Sequence, residues 1–263
     1  MLETPVTEKT SIKQPAWYVL LRILLGIILF WKGIVFIRDT ELLKIHLDRL
    51  KACKKIDQII VATTINEEDN VILSLCKKWG VEVSRGSVND VLDRYYQVAK
   101  LIRPEWIVRV TSDCPLIDPN LVDTVISFAH INDVDYCSNF IVENFPDGQD
   151  VEIFKFAALE VAWNAAKLKS EREHVTPYIR KHSGHSSDNL FTSINFPCAN
   201  DYSAIRMTVD EPSDFELVKK IVHELGVNES WLTYSNYIIK NKLSKINEHI
   251  IRNEGLLKSL KND

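Results

Sequence analysis

From Glu41 onward the hydrophobic pattern switches repeatedly between helical and strand periods, and this alternation limits the chain to helices packed on a mostly parallel sheet. Leu42, Leu43, Ile45, His46, Leu47 and Leu50 form an apolar stripe at helical spacing that ends in Lys51–Lys55, and Ile56–Ala62 then reads as a β-branched strand. The pattern predicts a helix from Asn66 or Glu67 to Trp79 with Gly80 as its stop. A short strand follows over Val81–Ser84, then a helix from Val91 to Ile102 capped by Asp90. Trp106–Thr111 is a strand of the buried type that breaks at Asp113-Cys-Pro115, and Asp118-Pro119 opens the next helix as N-cap and N1. Further strands are predicted at Val134–Asn139, Val151–Phe156, Leu190–Phe196 and Ala204–Val209. Further helices are predicted over Ala157–Lys167, Arg172–Lys181 and from Glu211 to Leu225. The expectation is a three-layer α/β domain, followed by a lysine-rich helical tail over residues 229–263 that lies at the periphery.

The one compositional break precedes this pattern. Trp17–Ile37 holds 17 apolar residues in 21, interrupted by Arg22, Lys32, Gly26 and Gly33. Such a length suits a membrane-spanning helix, with Lys32 near enough to one end to snorkel. The same run also reads as a buried strand plus helix of the core. If it spans, Arg38, Lys44, Arg49, Lys51, Lys54 and Lys55 behind it place the rest of the chain on the cytoplasmic side. Residues 1–38 are therefore set apart as an atypical hydrophobic segment from a main domain over 39–228 and the tail over 229–263.

Charge narrows the function. Lysine and arginine total 32 against 36 acidic residues, a net charge of −4, which is no footprint for nucleic-acid binding but leaves room for a local pocket that takes one phosphorylated ligand. The five cysteines, Cys53, Cys76, Cys114, Cys137 and Cys198, are odd in number and lack CxxC spacing, so they read as reduced thiols of a cytoplasmic protein.

Ligands of such folds bind beyond the carboxyl ends of the strands. Asp113 and Asp210 fall at two of these ends, and two rim carboxylates suit a magnesium ion, which takes oxygen ligands and is completed by water and phosphate. Each also reads simply as a helix cap. Arg85, Arg94, Arg109, Arg172 and Arg206 lie at or near strand ends and helix starts. In an apolar strand a guanidinium needs an anionic partner, so Arg109 and Arg206 are expected to pair with Asp113 or Asp210, or to hold a bound phosphate or carboxylate. Asp150 and Glu152 share one face of the strand after the Pro146-Asp-Gly148 turn, facing either substrate hydroxyls or solvent. Glu173 and His174 are acid–base or substrate-binding candidates in a charged helix start.

In order along the chain stand Arg85-Gly-Ser87, Asp90-Val-Leu-Asp-Arg-Tyr95, Val108-Arg-Val-Thr-Ser-Asp-Cys-Pro-Leu-Ile-Asp118, Pro146-Asp-Gly-Gln-Asp-Val-Glu152, Glu171-Arg-Glu-His-Val-Thr-Pro177 and Thr208-Val-Asp-Glu-Pro212. The series resembles the cytidylyltransferase family of spore-coat polysaccharide biosynthesis proteins, relatives of the synthetases that make CMP-KDO and CMP-sialic acid. It runs from Leu42 to Leu225. The resemblance implies a Rossmann-like nucleotide-diphosphosugar transferase fold and transfer of CMP from CTP to a sugar acid, with release of pyrophosphate. It further implies Mg2+ on Asp113 and Asp210, with Arg109 beside them in the catalytic group. Arg85 and Asp90 are then expected near the nucleotide, and Asp150, Glu152, Arg172, Glu173, His174 and Arg206 around the substrates. A homodimer is the expected assembly.

The chain departs from that family at its start. Family members open with a strand and a loop of the type Gln-Ala-Arg-Met-Gly-Ser-Thr-Arg-Leu-Pro-Gly-Lys, whose amides and basic side chains cradle the triphosphate. Residues 20–35 should hold that loop, but read Leu-Leu-Arg-Ile-Leu-Leu-Gly-Ile-Ile-Leu-Phe-Trp-Lys-Gly-Ile-Val, which looks more like a first membrane helix of DoxX-type proteins. Part of Val19–Phe36 is expected to replace the lost central strand, since the sheet would otherwise expose backbone groups. Two alternatives to the enzyme remain: a non-catalytic, membrane-attached remnant, and a glycosyltransferase of related fold.

Overall fold

A computed structural model of the protein describes residues 17–22, 36–184 and 189–263. In chain order its elements are β1 (Trp17–Arg22), the small hairpin β2 (Phe36–Ile37) and β3 (Thr40–Glu41), α1 (Leu42–Lys51), β4 (Gln58–Thr64), α2 (Asn70–Lys78), β5 (Glu82–Gly86), α3 (Val91–Ile102), β6 (Trp106–Thr111) and α4 (Pro119–Asn132). Then come β7 (Tyr136–Ser138), β8 (Glu152–Lys155), α5 (Phe156–Ala165), α6 (Lys169–His174), α7 (Pro177–Lys181), β9 (Ser193–Asn195), α8 (Pro212–Leu225), α9 (Trp231–Lys240) and α10 (Glu254–Leu260).

Seven strands form one sheet in the order β5-β4-β1-β6-β8-β7-β9. Only the pairings of β8 with β6 and with β7 are antiparallel, so the sheet is mostly parallel as expected. β1 lies at the centre, with Leu20 opposite Ile60 on one side and Arg109 on the other. The apolar N-terminal run therefore is not one membrane helix. Its first six residues are a strand whose backbone is paired on both edges, and the rest, residues 23–35, lies outside the described residues. Among the described residues no helix is long and apolar enough to cross a membrane. The expected replacement strand sits where the sheet needs it, with bounds Trp17–Arg22.

The period of two along the strands sorts side chains into two layers. Val61 and Val108 pack with Leu47, Leu50, Ile72, Val122 and Val125, from α1, α2 and α4. Their neighbours Ile60 and Ile107 face the opposite way and pack with Tyr95 and Ala99 of α3, Leu159 of α5 and Ile179 of α7. A third cluster joins Leu42, Ile45 and Met207 to Leu217, Val218 and Ile221 of α8 and to Tyr234 and Ile238 of α9. Part of the C-terminal tail thus enters the core, because the apolar stripe of α9 finds α8 beside it.

Two predicted elements differ. Ala204–Val209 is not a strand. Its groups bond to a turn and a loop, Asp147 N–H donating to Ile205 (2.9 Å) and Val209 N–H to Asp113 (2.7 Å), so no ladder forms. The predicted helix Arg172–Lys181 is broken in two at Val175 (φ 73°), ahead of Pro177, whose ring disfavours helical backbone just before it.

Candidate active site

The site is built where β6 ends. After Thr111 the chain turns sharply, with Cys114 N–H donating to the Thr111 carbonyl (3.2 Å). The Asp113 carbonyl accepts from Val209 N–H (2.7 Å) and from the Thr208 hydroxyl (3.1 Å), which draws Asp210 to the end of β6. The 146–149 turn closes the group from below. Gly148 adopts φ +98°, and a Cβ there would lie 2.5 Å from the Thr208 nitrogen, so only glycine lets the turn approach this closely. Gln149 holds the turn, its amide donating to the Leu116 carbonyl (2.9 Å) and its oxygen accepting from Asp118 N–H (2.9 Å).

Four carboxylates, Asp113, Asp147, Asp150 and Asp210, are thereby gathered in mutual electrostatic reach. Burial pushes the Asp150 carboxyl up to about 7, with Asp147, Glu152 and Asp113 adding repulsion against the opposing pull of Arg252. Burial likewise pushes Asp210 up to about 7, reinforced by the charge of Asp113 and opposed by Arg206. A divalent cation relieves such crowding. No three acidic, histidine or cysteine side chains form a closed metal cage among the described residues. Asp113 and Asp210 therefore offer two oxygen ligands to an open site, the donor set that magnesium takes when phosphate and water complete its shell. The residues fit the ion.

The arginines sort differently from the expectation. Arg206 does pair with Asp210 (2.6 Å), but also with Asp147 (2.5 Å), and it spans both oxygens of Asp214 (2.9 and 3.0 Å). Arg109 meets neither aspartate. Its partner is Glu152, on the neighbouring strand β8 at the paired position, and Glu152 also accepts from the Tyr136 hydroxyl (2.7 Å) and the Thr176 hydroxyl. Glu152 is 1% exposed, so this carboxylate faces neither substrate nor solvent but locks β6, β7, β8 and α7 together.

The remaining predicted residues divide into separate structural pairs. Arg85 donates to the carbonyls of Thr64 (2.8 Å) and Asn66 (2.7 Å) and to the Asn70 side chain (2.8 Å), bracing the loop after β4. Asp90 caps α3 through Asp93 N–H (2.8 Å) and accepts from Arg172 Nε (2.9 Å), while Arg172 also donates to the Trp163 carbonyl (2.7 Å). Glu173 accepts from the Ser259 hydroxyl (2.8 Å), and His174 Nε2 stands 3.2 Å from the same oxygen, so both meet α10. Asp150 is bound by Arg252 (2.6 Å) from the segment just before α10.

Four contributors escape a reading of the sequence. Asp147 looks like turn chemistry, Asp214 like a helix start, and Arg252 lies about a hundred residues from its partner. His46 was read as part of an apolar stripe. It is fully buried under the site, Nδ1 donating to the Cys114 carbonyl (2.7 Å), and burial pushes its pKa down to about 4. A histidine on the buried face of a helix was the available signal.

Comparison with known proteins agrees with this geometry. The cytidylyltransferase family profile matches residues 29–245, a span that begins after β1. An uncharacterized protein of Methanocaldococcus jannaschii is 39% identical over 223 residues, 83% of this chain and 88% of its own length. The spore coat polysaccharide biosynthesis protein SpsF of Bacillus subtilis is 31% identical over 171 residues, covering 65% of this chain and 69% of that protein. Among solved structures, a cytidylyltransferase from Leptospira borgpetersenii superposes with a TM-score of 0.82 at 30% identity, over 91% of this chain and all of the other. A CMP:2-keto-3-deoxy-manno-octonic acid synthetase complexed with CTP shares the fold, with a TM-score of 0.57 at 11% identity over 80% of this chain and 99% of that one. With that sheet order, the acidic group at the end of β6 and these relatives, the chain belongs to the cytidylyltransferase family.

Proposed function

We propose that the protein transfers CMP from CTP to a sugar acid and releases pyrophosphate, in the synthesis of a surface polysaccharide or glycan precursor. The observation that carries the reading is the meeting of Asp113 and Asp210, 97 positions apart in sequence, at the carboxyl end of β6. The names of SpsF and of the CTP-bound synthetase of like fold support the substrate class. A structure of Rv0371c from Mycobacterium tuberculosis in complex with manganese, of like fold, supports a divalent cation.

In this reading Asp113 and Asp210 hold Mg2+, which when bound neutralises the charge that develops on the phosphate oxygens. The Arg206 fan fixes Asp210, and the Thr208 and Val209 contacts fix Asp113, so both carboxylates are preset before substrate arrives. The sugar hydroxyl forms a bond to the α-phosphorus, the bond to the pyrophosphate oxygen breaks in line, and the hydroxyl proton leaves to solvent. The cytoplasmic setting and the homodimer belong to the same reading.

The lack of the family's phosphate-loop sequence at residues 20–35 favours a second reading, a non-catalytic remnant. Calorimetric titration with CTP, with and without magnesium, beside Asp113→Ala, separates the two. Micromolar, magnesium-dependent binding that the variant loses supports the enzyme. A folded chain that binds no CTP supports the remnant.

A further inference from the structure

Arg94 carries donors that the fold leaves unused. The residue is 5% exposed, and neither its Nε nor its Nη1 has a hydrogen-bond partner among the described residues. The other buried arginines are engaged. Arg49 donates to the carbonyls of Ile117 (2.6 Å) and Glu229 (2.9 Å), Arg109 pairs with Glu152, and Arg206 spans three aspartates. A buried guanidinium without acceptors costs several kcal/mol, and burial accordingly pushes the Arg94 pKa down.

The position is also made for this side chain. A Cβ on Gly86 would lie 2.6 Å from the Arg94 Cγ, so the glycine lets the arginine stem cross the end of β5. Gly86 pairs with Thr64, and these are the last residues of β5 and β4. The stem therefore passes over the carboxyl ends of two strands, where ligands of α/β sheets bind.

The nearby charges say what the missing partner is. Asp69 and Asp90 both attract Arg94, yet Asp69 is taken by the Thr63 hydroxyl (2.8 Å) and Thr64 N–H (3.0 Å), and Asp90 by Arg172 and the α3 amide. The positive charge is thus partly balanced while the donors are not, which calls for a neutral group rich in acceptors rather than another phosphate. Across the sheet, β4 is separated from β6 by β1 alone, two strand spacings or about 10 Å. A nucleotide whose α-phosphate sits at Asp113 and Asp210 beyond β6 extends its ring toward β4 and β5.

Resting on the CTP reading above, we propose that Arg94 binds the cytosine ring, its guanidinium donating to the acceptor edge formed by O2 and N3. Uracil carries N–H at position 3, so the same contact favours CTP over UTP.

The test is calorimetric titration of the full chain and of Arg94→Met with CTP, UTP and inorganic tripolyphosphate, together with thermal melting of both without ligand. The expected result is a loss of CTP affinity of tenfold or more in Arg94→Met, a collapsed preference for CTP over UTP, and unchanged tripolyphosphate affinity. The melting temperature without ligand should hold or rise, since an unpaired buried charge is replaced by an apolar group. Arg94→Lys, which keeps the charge but not the planar fork, should also lose the preference for CTP. Equal CTP affinity in Arg94→Met, or an equal loss toward tripolyphosphate, overturns the assignment and leaves the CTP reading intact. A large fall in melting temperature with nucleotide preference unchanged in Arg94→Lys makes the residue structural and also overturns it. Failure of the wild type to bind any nucleotide overturns both.

Discussion

Replacing Arg206 with methionine tests whether the acidic cluster is held by one cation. Arg206 is 8% exposed, while Asp214 and Asp147, two of its three partners, are 0% and 8% exposed. Removing one member of a buried ion pair costs roughly 3–5 kcal/mol, because the other charge stays buried without compensation. Here the loss falls toward the lower end. Asp214 keeps the Asn247 amide (2.8 Å) and the N–H groups of Asp210 (3.1 Å) and Glu211 (3.0 Å), and the Asp210 side chain is 42% exposed. A loss of about 3 kcal/mol corresponds to a fall in Tm of roughly 6–12 °C for a domain of this size. The pH dependence gives a second signature. Without the guanidinium, the buried aspartates bind protons in the folded chain at a pH where the unfolded chain has lost them, so stability falls as pH rises from about 4 through their folded pKa values. Urea unfolding at pH 5 and pH 8 should therefore show the larger deficit at pH 8. A deficit below about 1 kcal/mol at pH 8, or one that is equal at both values, refutes the view that Arg206 compensates these charges.

Three further outcomes are expected. A chain starting at Asp39 lacks β1, so β4 and β6 lose the strand between them, and cooperative thermal unfolding followed by circular dichroism should disappear; undiminished cooperative melting would sink the central role of Trp17–Arg22. Gly148→Ala should cost roughly 1–3 kcal/mol or more by chemical denaturation, from φ +98° together with the clash at Thr208, and a neutral result would contradict the close approach of the turn. His46 is neutral when folded, its pKa lowered from 6.5 to about 4, so its contribution is complete above pH 6.5 and is lost as pH falls to 4, about 3 kcal/mol in all. His46→Gln should flatten the acid limb of the stability curve between these values, and an unchanged limb would rule the histidine out as its source.

Much of the fold was legible locally. Asp90 and Asp118 do cap the helices that they precede, and the predicted helix Val91–Ile102 and strand Trp106–Thr111 match the observed bounds. Ala204–Val209 shows where local reading stops. Its apolar residues suit a strand, but no free sheet edge lies beside it, and its amides turn instead to Asp113 and Asp147. Asp113 and Asp210 were both placed at the rim from sequence, and the fold does bring them together.

By itself the sequence determined what short-range physics determines: the hydrophobic periods, the caps and breaks, the class of sheet, and the order of motifs that marks the family. Tertiary structure alone decided partners and burial. Arg109 pairs with Glu152 rather than with an aspartate because β8 runs antiparallel beside β6 and sets the two opposite each other. The run at Trp17 becomes a strand because the sheet leaves a double edge that only another strand can satisfy. Arg94 and His46 are buried by helices that pack on the sheet, and no neighbour in sequence reports that burial. Periodicity is fixed over a few residues, whereas the crossovers that bring distant charges together are fixed only when the layers close.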